Sequence, residues 1–114
     1  MRHFLIKFFF PAIFISLVML SSRCSSPLGD QKPQTHHVDI IGMKFSPTEL
    51  TVNKGDTVTF INKDIITHNV TEQNDKKWAS APLQSDQSYK LVVKESADYY
   101  CSFHPVMKGK LVVK

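Results

Sequence analysis

The chain has 114 residues, of which 42% are hydrophobic and 21% charged, and its formal net charge is +4. This length leaves room for one domain with a modest core. Arg2, Lys7 and Arg23 precede the first acidic residue, Asp30, so the net charge falls to about +1 without that segment. The excess positive charge therefore lies in the N-terminal segment. The rest of the chain is nearly neutral, which argues against a nucleic-acid-binding surface.

Residues 1–24 have the order of a secretory signal peptide. A basic start is followed by an apolar run from Phe8 to Leu20 and then by small residues. The run is shorter than the roughly 20 residues that a membrane-spanning helix needs. Cys24 occupies the place of an acylated lipoprotein cysteine, although Arg23 stands where a small residue is typical. Ordinary cleavage and a lipid anchor on Cys24 both stay open, and both predict an exported, periplasmic protein.

Residues 25–35, SSPLGDQKPQT, are polar with proline and glycine and predict a flexible tether. The domain is predicted to occupy residues 36–114, where short apolar or alternating runs are separated by turn residues. In DTVTFIN, Val58 and Phe60 share a face, a period of two that is typical of strands. Roughly six or seven short strands without β-α-β spacing predict an all-β sandwich or small barrel.

Cys101, His104 and Met107 follow one another at intervals of three residues after an apolar strand. A tight loop between antiparallel strands can direct all three side chains to one point. Thiolate and thioether groups favour Cu(I), and imidazole suits copper in both oxidation states. His68, in THNV just after the INKD turn, is the best source of a further imidazole. Two histidines, one cysteine and a weak axial methionine form the ligand set of a blue-copper site.

Three other interpretations explain this cluster less well. Structural zinc favours four strong ligands, whereas the second cysteine lies in the signal region and thioether is a poor zinc ligand. A nucleophilic cysteine needs a base, a group that orients the base, and a substrate cleft. A Cys–His pair three residues apart on a short loop is not a known arrangement for that chemistry. Separate structural roles suit each residue alone, but not all four together in an exported β-protein.

Three further residues could in principle bind a metal ion, but we do not expect them to do so. His36 and His37 stand at the end of the tether and are expected to be solvated. Met43 could compete as an axial ligand, but it precedes the strand pattern and is assigned to the core.

Three stretches, MKFSPTELTVNKGDTVTFINKD, THNV and YYCSFHPVMKGKLVVK, resemble the small blue copper proteins known as cupredoxins, and among them the amicyanin and plastocyanin type. They extend over residues 43–114, which is nearly the whole predicted domain. The resemblance implies a Greek-key β-sandwich of about seven or eight strands. It also implies one copper ion that cycles between Cu(I) and Cu(II).

The resemblance assigns roles to individual residues of the site. It implies that His68, Cys101 and His104 are the strong equatorial ligands and that Met107 is the long axial ligand. Asn69, which follows the first histidine, would tie the two ligand segments together and direct its backbone N–H at the thiolate.

The short Cys-x2-His-x2-Met loop is the form seen in amicyanin, with departures from that pattern nearby. Phe103 stands where amicyanin has proline, which predicts a loop of different rigidity and a different reduction potential, with copper retained. Glu95 and Ala97 replace a glycine and an aromatic residue that often lead into the cysteine strand. Segment 71–87 matches poorly, so its local structure stays open.

The predicted function is that of a type 1 copper protein that carries single electrons between redox partners. Protein ligands fill the positions around the metal, which argues against an enzyme. By resemblance, His104 lies in an apolar patch that includes Phe103, Pro105 and Val106, where a cytochrome, dehydrogenase or reductase docks briefly. The protein is expected to be a monomer. The alternatives are a periplasmic copper chaperone or scavenger that delivers copper to an enzyme, and a metal-free interaction domain.

Overall fold

A computed structural model describes residues 31–114 of the chain. The predicted signal peptide, Cys24 and the first part of the tether lie outside the described residues. Within residues 31–114, no helix is long and apolar enough to cross a bilayer. This part of the chain contains eight strands: β1 (Thr35–Ile41), β2 (Lys44–Ser46), β3 (Glu49–Val52), β4 (Thr57–Asn62), β5 (Thr71–Glu72), β6 (Ser88–Val92), β7 (Ala97–Tyr100) and β8 (Lys108–Val113).

The strands form two four-stranded sheets, with the orders β2-β1-β4-β6 and β3-β8-β7-β5. β1 pairs in parallel with β4, and β3 pairs in parallel with β8. The remaining pairs are antiparallel. From β2 to β7 each successive strand lies in the other sheet. This arrangement confirms the predicted all-β sandwich of about seven or eight strands.

The core lies between the two sheets and is centred on Tyr99. Val58 and Phe60, which the sequence placed on one face of a strand, are both fully buried on β4. The ring centroid of Tyr99 lies 4.8 Å from that of Phe45 and 5.2 Å from that of Phe60, and both contacts are edge-on. Such aromatic pairs stabilise the folded state by more than the burial of their apolar surface alone would. The other buried apolar residues of this cluster are Val38, Ile40, Val52, Val70, Leu83, Val93, Cys101, Met107 and Leu111.

The hairpin of β7 and β8 depends on a close contact between Tyr99 and Gly109. The two residues are paired in the ladder, and the next pair is Tyr100 with Lys108. Residues 101–107 therefore form the connecting loop. A Cβ atom at position 109 would collide with the ring and hydroxyl of Tyr99. The contact fixes the register, because a slip by one residue would place a side chain beneath the ring.

Segment 71–87, whose structure the sequence left open, is organised by the buried carboxylate of Glu72. This carboxylate accepts hydrogen bonds from the backbone N–H groups of Asn74, Asp75 and Lys77. Burial has the largest effect on the pKa of Glu72 and raises it, but the hydrogen bonds together outweigh burial and lower the pKa. Further along the segment, an isolated antiparallel bridge joins Leu83 to His68.

The expectation that His36 is solvated at the end of the tether is wrong, whereas His37 is exposed as expected. β1 begins at Thr35, and its alternation directs His36 towards Asp56, where Nε2 lies 2.8 Å from Oδ2. Asp56 is buried and also accepts the backbone N–H groups of Gln34 and Asn53. Hydrogen bonds lower the pKa of Asp56 to about 2. The bond from Gln34 has the largest effect, and those from His36 and Asn53 come next.

The prediction that Met43 belongs to the core is also wrong, because 38% of this residue is exposed. Ile41 pairs with Lys44, so Gly42 and Met43 form the two-residue turn between β1 and β2. Their φ angles are 60° and 61°, the left-handed backbone that a tight hairpin of this kind requires at both positions. The turn therefore holds Met43 outside the core.

Replacement of Gly109 by alanine tests the contact with Tyr99. We expect Gly109→Ala to lower the free energy of unfolding by about 3 kcal/mol, because the new Cβ forces the ring and the hairpin apart. Denaturant unfolding measures this change. In the control Gly42→Ala, the added Cβ meets nothing within 4 Å, so only the left-handed backbone is penalised, by about 1 kcal/mol. Equal losses in the two variants would contradict the assigned role of Gly109.

Candidate metal centre

The structure brings the side chains of His68, Cys101 and His104 to one point. Their ligand atoms all lie within 4.8 Å of one another. The Sγ atom of Cys101 is 3.7 Å from Nδ1 of His68 and 3.7 Å from Nδ1 of His104. His68 and Cys101 are fully buried, and His104 is half-buried. Three of the four predicted ligands thus form a cluster of one sulfur and two nitrogens that could hold a metal ion.

The loop after β7 explains the three-residue spacing. The backbone N–H of His104 donates to the carbonyl of Cys101 (3.2 Å), and the N–H of Met107 donates to the carbonyl of His104 (2.9 Å). The N–H of Cys101 donates in turn to the carbonyl of Met107 at 3.1 Å, which closes the loop. Two successive turns therefore carry the three residues. Met107 is 2% exposed and packs in the same cluster as Cys101.

His68 lies in the connection between β4 and β5 and contributes its side chain to the cluster from there. Its backbone N–H donates to the carbonyl of Leu83 (3.2 Å) and its carbonyl accepts the N–H of Leu83 (2.7 Å). The side chain of Asn62 supports the same region, because its Nδ2 donates to the carbonyls of Ile66 and Leu83, at 2.8 Å each. The turn that the sequence predicted at INKD thus anchors the first histidine.

The two sulfur–nitrogen separations within the cluster have the size that a bound metal ion would require. Metal–sulfur and metal–nitrogen distances of about 2.3 Å and about 2.0 Å, as found for zinc, place the two donor atoms about 3.7 Å apart when the angle at the metal is about 120°. Both observed separations are 3.7 Å. One soft thiolate with two imidazoles, rather than four cysteine and histidine ligands, is a donor set that suits copper.

A family model for copper-binding proteins of the plastocyanin/azurin family matches residues 34–114. The chain belongs to this family. Copper is accordingly the cofactor of this cupredoxin, as the sequence predicted, and the match extends over all eight strands.

Comparison with individual proteins confirms the similarity to amicyanins. Amicyanin of Paracoccus denitrificans is 39% identical over 83 residues, which cover 68% of this chain and 63% of the relative. The cupredoxin chain thus spans less than two thirds of that relative. Amicyanin-alpha of Methylorubrum extorquens is 30% identical over 109 residues, which cover 90% of this chain and 92% of the relative.

The fold of the cupredoxin is also similar to solved amicyanin structures. One is the reduced state of an amicyanin mutant in which phenylalanine replaces a proline. It is 40% identical, its TM-score is 0.64, and the match covers 70% of this chain and 82% of the other.

Asn69 links the two ligand segments of the cupredoxin. Its backbone N–H points at Sγ of Cys101, at a distance of 3.4 Å. Its side-chain Oδ1 accepts the backbone N–H of Ser102 at 2.7 Å, and its Nδ2 contacts Oγ of the same serine. Asn69 thus hydrogen-bonds to the segment that carries Cys101, from the position next to His68 in the chain.

The sequence pattern did not indicate Asp64 as a residue of the site. Its Oδ2 atom lies 2.8 Å from Nε2 of His68, on the side of the ring away from the cluster. The only signal in the sequence is a carboxylate four residues before the histidine, in DIITH. In a turn, this spacing does not predict a contact between the two side chains, because the sequence does not determine the path of the backbone there.

Removal of the Asn69 side chain tests the link between the ligand segments. Asn69→Ala should lower the free energy of unfolding by about 2 kcal/mol, because it removes both side-chain bonds and leaves the N–H of Ser102 without this acceptor. The matched control Ser102→Ala removes only the hydroxyl contact and should cost less than about 1 kcal/mol. Denaturant unfolding of the two variants gives the comparison. A smaller loss in Asn69→Ala than in Ser102→Ala would be inconsistent with the link.

Proposed function

We propose that His68, Cys101, His104 and Met107 bind one copper ion and that the protein carries single electrons between redox partners. The observation that carries this proposal is the cluster of one thiol sulfur and two imidazole nitrogens, with both sulfur–nitrogen separations at 3.7 Å. Met107, whose backbone bonds to Cys101 and His104 in the same loop, is the weak fourth ligand that we propose. This is the ligand set of blue-copper electron-transfer sites.

The surroundings of the ligands suit electron transfer better than catalysis. Bound copper would supply one-electron chemistry by cycling between Cu(I) and Cu(II). Cys101 and Met107 belong to the core, and His68 is fully buried, so packed side chains exclude water and hold the donor atoms in place. Protein ligands leave no open position of the kind that catalytic metal sites keep for a substrate. We therefore assign a carrier function and not an enzymatic one.

The surface next to His104 is the proposed docking area for redox partners. Phe103 is 49% exposed and Val106 is 89% exposed, and Pro105 between them is exposed as well. An exposed apolar surface beside a half-buried ligand suits small, short-lived interfaces. A cytochrome, a dehydrogenase or a reductase is the class of partner that we propose, and the protein itself is proposed to act as a monomer.

Export to the periplasm completes the proposal. The signal-like residues 1–24 support export. The family match begins at residue 34 and does not include this segment. We propose that the chain consists of a signal peptide of residues 1–24, a tether of residues 25–35 and a domain of residues 36–114. A lipid anchor on Cys24 is the membrane-tethered form of this proposal.

A visible and EPR spectrum of the copper-loaded protein tests the function. We expect an intense thiolate-to-copper band, reversible one-electron voltammetry, and copper retained against a competing chelator. Cys101→Ser should abolish the band, since the sulfur donor is lost. The alternative, a copper chaperone or scavenger, predicts ready loss of copper to the chelator and slow electron exchange with cytochrome c. A colourless copper-loaded protein would be evidence against both the blue-copper site and the carrier function.

A further inference from the structure

The chain of residues 78–83 lies antiparallel to the stretch that carries the first histidine ligand. Leu83 and His68 exchange two backbone hydrogen bonds, at 2.7 Å and 3.2 Å. Two residues after the histidine, the carbonyl of Val70 accepts the backbone N–H of Ser80 at 2.8 Å. Residues 78–83 therefore hold the backbone of the ligand segment on both sides of the residue that follows His68.

The register of this pairing changes by one residue between its two ends. In a regular antiparallel ladder that pairs His68 with Leu83, the next hydrogen-bonded pair would be Val70 with Ala81. The carbonyl of Val70 instead accepts the N–H of Ser80. Ser80 and Ala81 thus lie opposite one residue, which is a β-bulge, a feature that is common next to functional sites.

The hydroxyl of Ser80 fills the gap that the bulge opens. Its Oγ accepts the backbone N–H of Val70 at 2.9 Å and donates to the carbonyl of Ala81 at 2.8 Å. The hydroxyl therefore stands between the donor and the acceptor that a regular ladder would join directly. Val70 and Ser80 are both buried, and a buried N–H without an acceptor is costly.

Asn69 lies between the two residues that this pairing holds. Backbone N–H groups alternate in direction along an extended strand. Those of His68 and Val70 point to residues 78–83. That of Asn69 points the other way, to Sγ of Cys101 at 3.4 Å. The bonds on either side of Asn69 therefore determine the direction of the N–H group that reaches the sulfur.

We infer that Ser80 is a positioning residue for the metal centre, because its hydroxyl holds the ligand segment so that the N–H of Asn69 stays directed at the sulfur of Cys101. The inference rests on the proposed function. Hydrogen bonding around the cysteine sulfur tunes the reduction potential of blue-copper sites. The sulfur carries more negative charge beside Cu(I) than beside Cu(II), so an N–H donor favours the reduced state. Loss of the Ser80 hydroxyl should therefore lower the potential.

Amide hydrogen exchange of the metal-free protein, followed by NMR, tests the hydroxyl bridge itself. The N–H of Val70 should be protected in the wild type and should exchange about tenfold faster in Ser80→Ala, because its buried acceptor is lost. Ser80→Thr keeps the hydroxyl and should restore the protection. Ser96→Ala is the matched control, since Oγ of Ser96 accepts the backbone N–H of Val113, also at 2.9 Å, at the end of β7 away from Cys101. It should leave the exchange of Val70 unchanged.

The reduction potential of the copper-loaded variants tests the consequence for the metal centre. Ser80→Ala should weaken binding of Cu(I) relative to Cu(II) about threefold, which lowers the potential by about 30 mV at about 59 mV per tenfold change. Ser80→Thr should recover most of the wild-type potential, and Ser96→Ala should equal the wild type.

A crystal structure of the wild type adds a test that needs no variant to fold. Oγ of Ser80 should lie between the N–H of Val70 and the carbonyl of Ala81. A direct hydrogen bond from the N–H of Val70 to the carbonyl of Ala81 would overturn the inference.

The outcomes separate this inference from the proposed function. If the wild type binds copper without a thiolate band, the proposed function fails and the effect on the potential fails with it, whereas the exchange of Val70 still decides whether Ser80 holds the ligand segment. If the wild type shows the band and a reversible couple, but Ser80→Ala has the same potential as Ser96→Ala, only the role of Ser80 is refuted.

Discussion

The packing of the Tyr99 ring over Gly109 is the contact on which the rest of the structure depends. Tyr99 fills the centre of the core through its contacts with Phe45 and Phe60, and Gly109 leaves the space that the ring needs. The register of β7 and β8 follows from this contact. Because side chains alternate along a strand, a slip by one residue would turn Cys101, two positions further along, away from His68.

The metal centre is an extension of this core. Cys101 and Met107 pack in the hydrophobic cluster, and Asn69 joins two segments that lie 33 residues apart in the chain. Folding therefore supplies most of the ordering that a bound ion would otherwise require. Under the proposed function, donor atoms held in this way would present the same arrangement to Cu(I) and Cu(II), so that little movement accompanies electron transfer.

Local patterns in the sequence were sufficient to predict the sandwich. The alternation of Val58 and Phe60 predicted a strand, and the spacing of Cys101 and His104 predicted a loop, in which the structure places Nδ1 of His104 3.7 Å from Sγ of Cys101. Contacts between distant segments could not be predicted in this way. The carboxylate of Asp64 meets a turn about 20 residues earlier, and Glu72 organises a segment without any periodic pattern. Both depend on backbone paths that only the folded chain defines.

The central claim is that the Cys101 thiolate and the imidazoles of His68 and His104 bind the same copper ion in both oxidation states. X-ray absorption at the copper edge of the copper-loaded protein tests it most directly, because it identifies the neighbouring atoms of the metal. We predict one short copper–sulfur contact and two copper–nitrogen contacts, with nearly the same distances before and after reduction. A copper ion surrounded only by nitrogen and oxygen, or one that loses its sulfur contact on reduction, would contradict the claim.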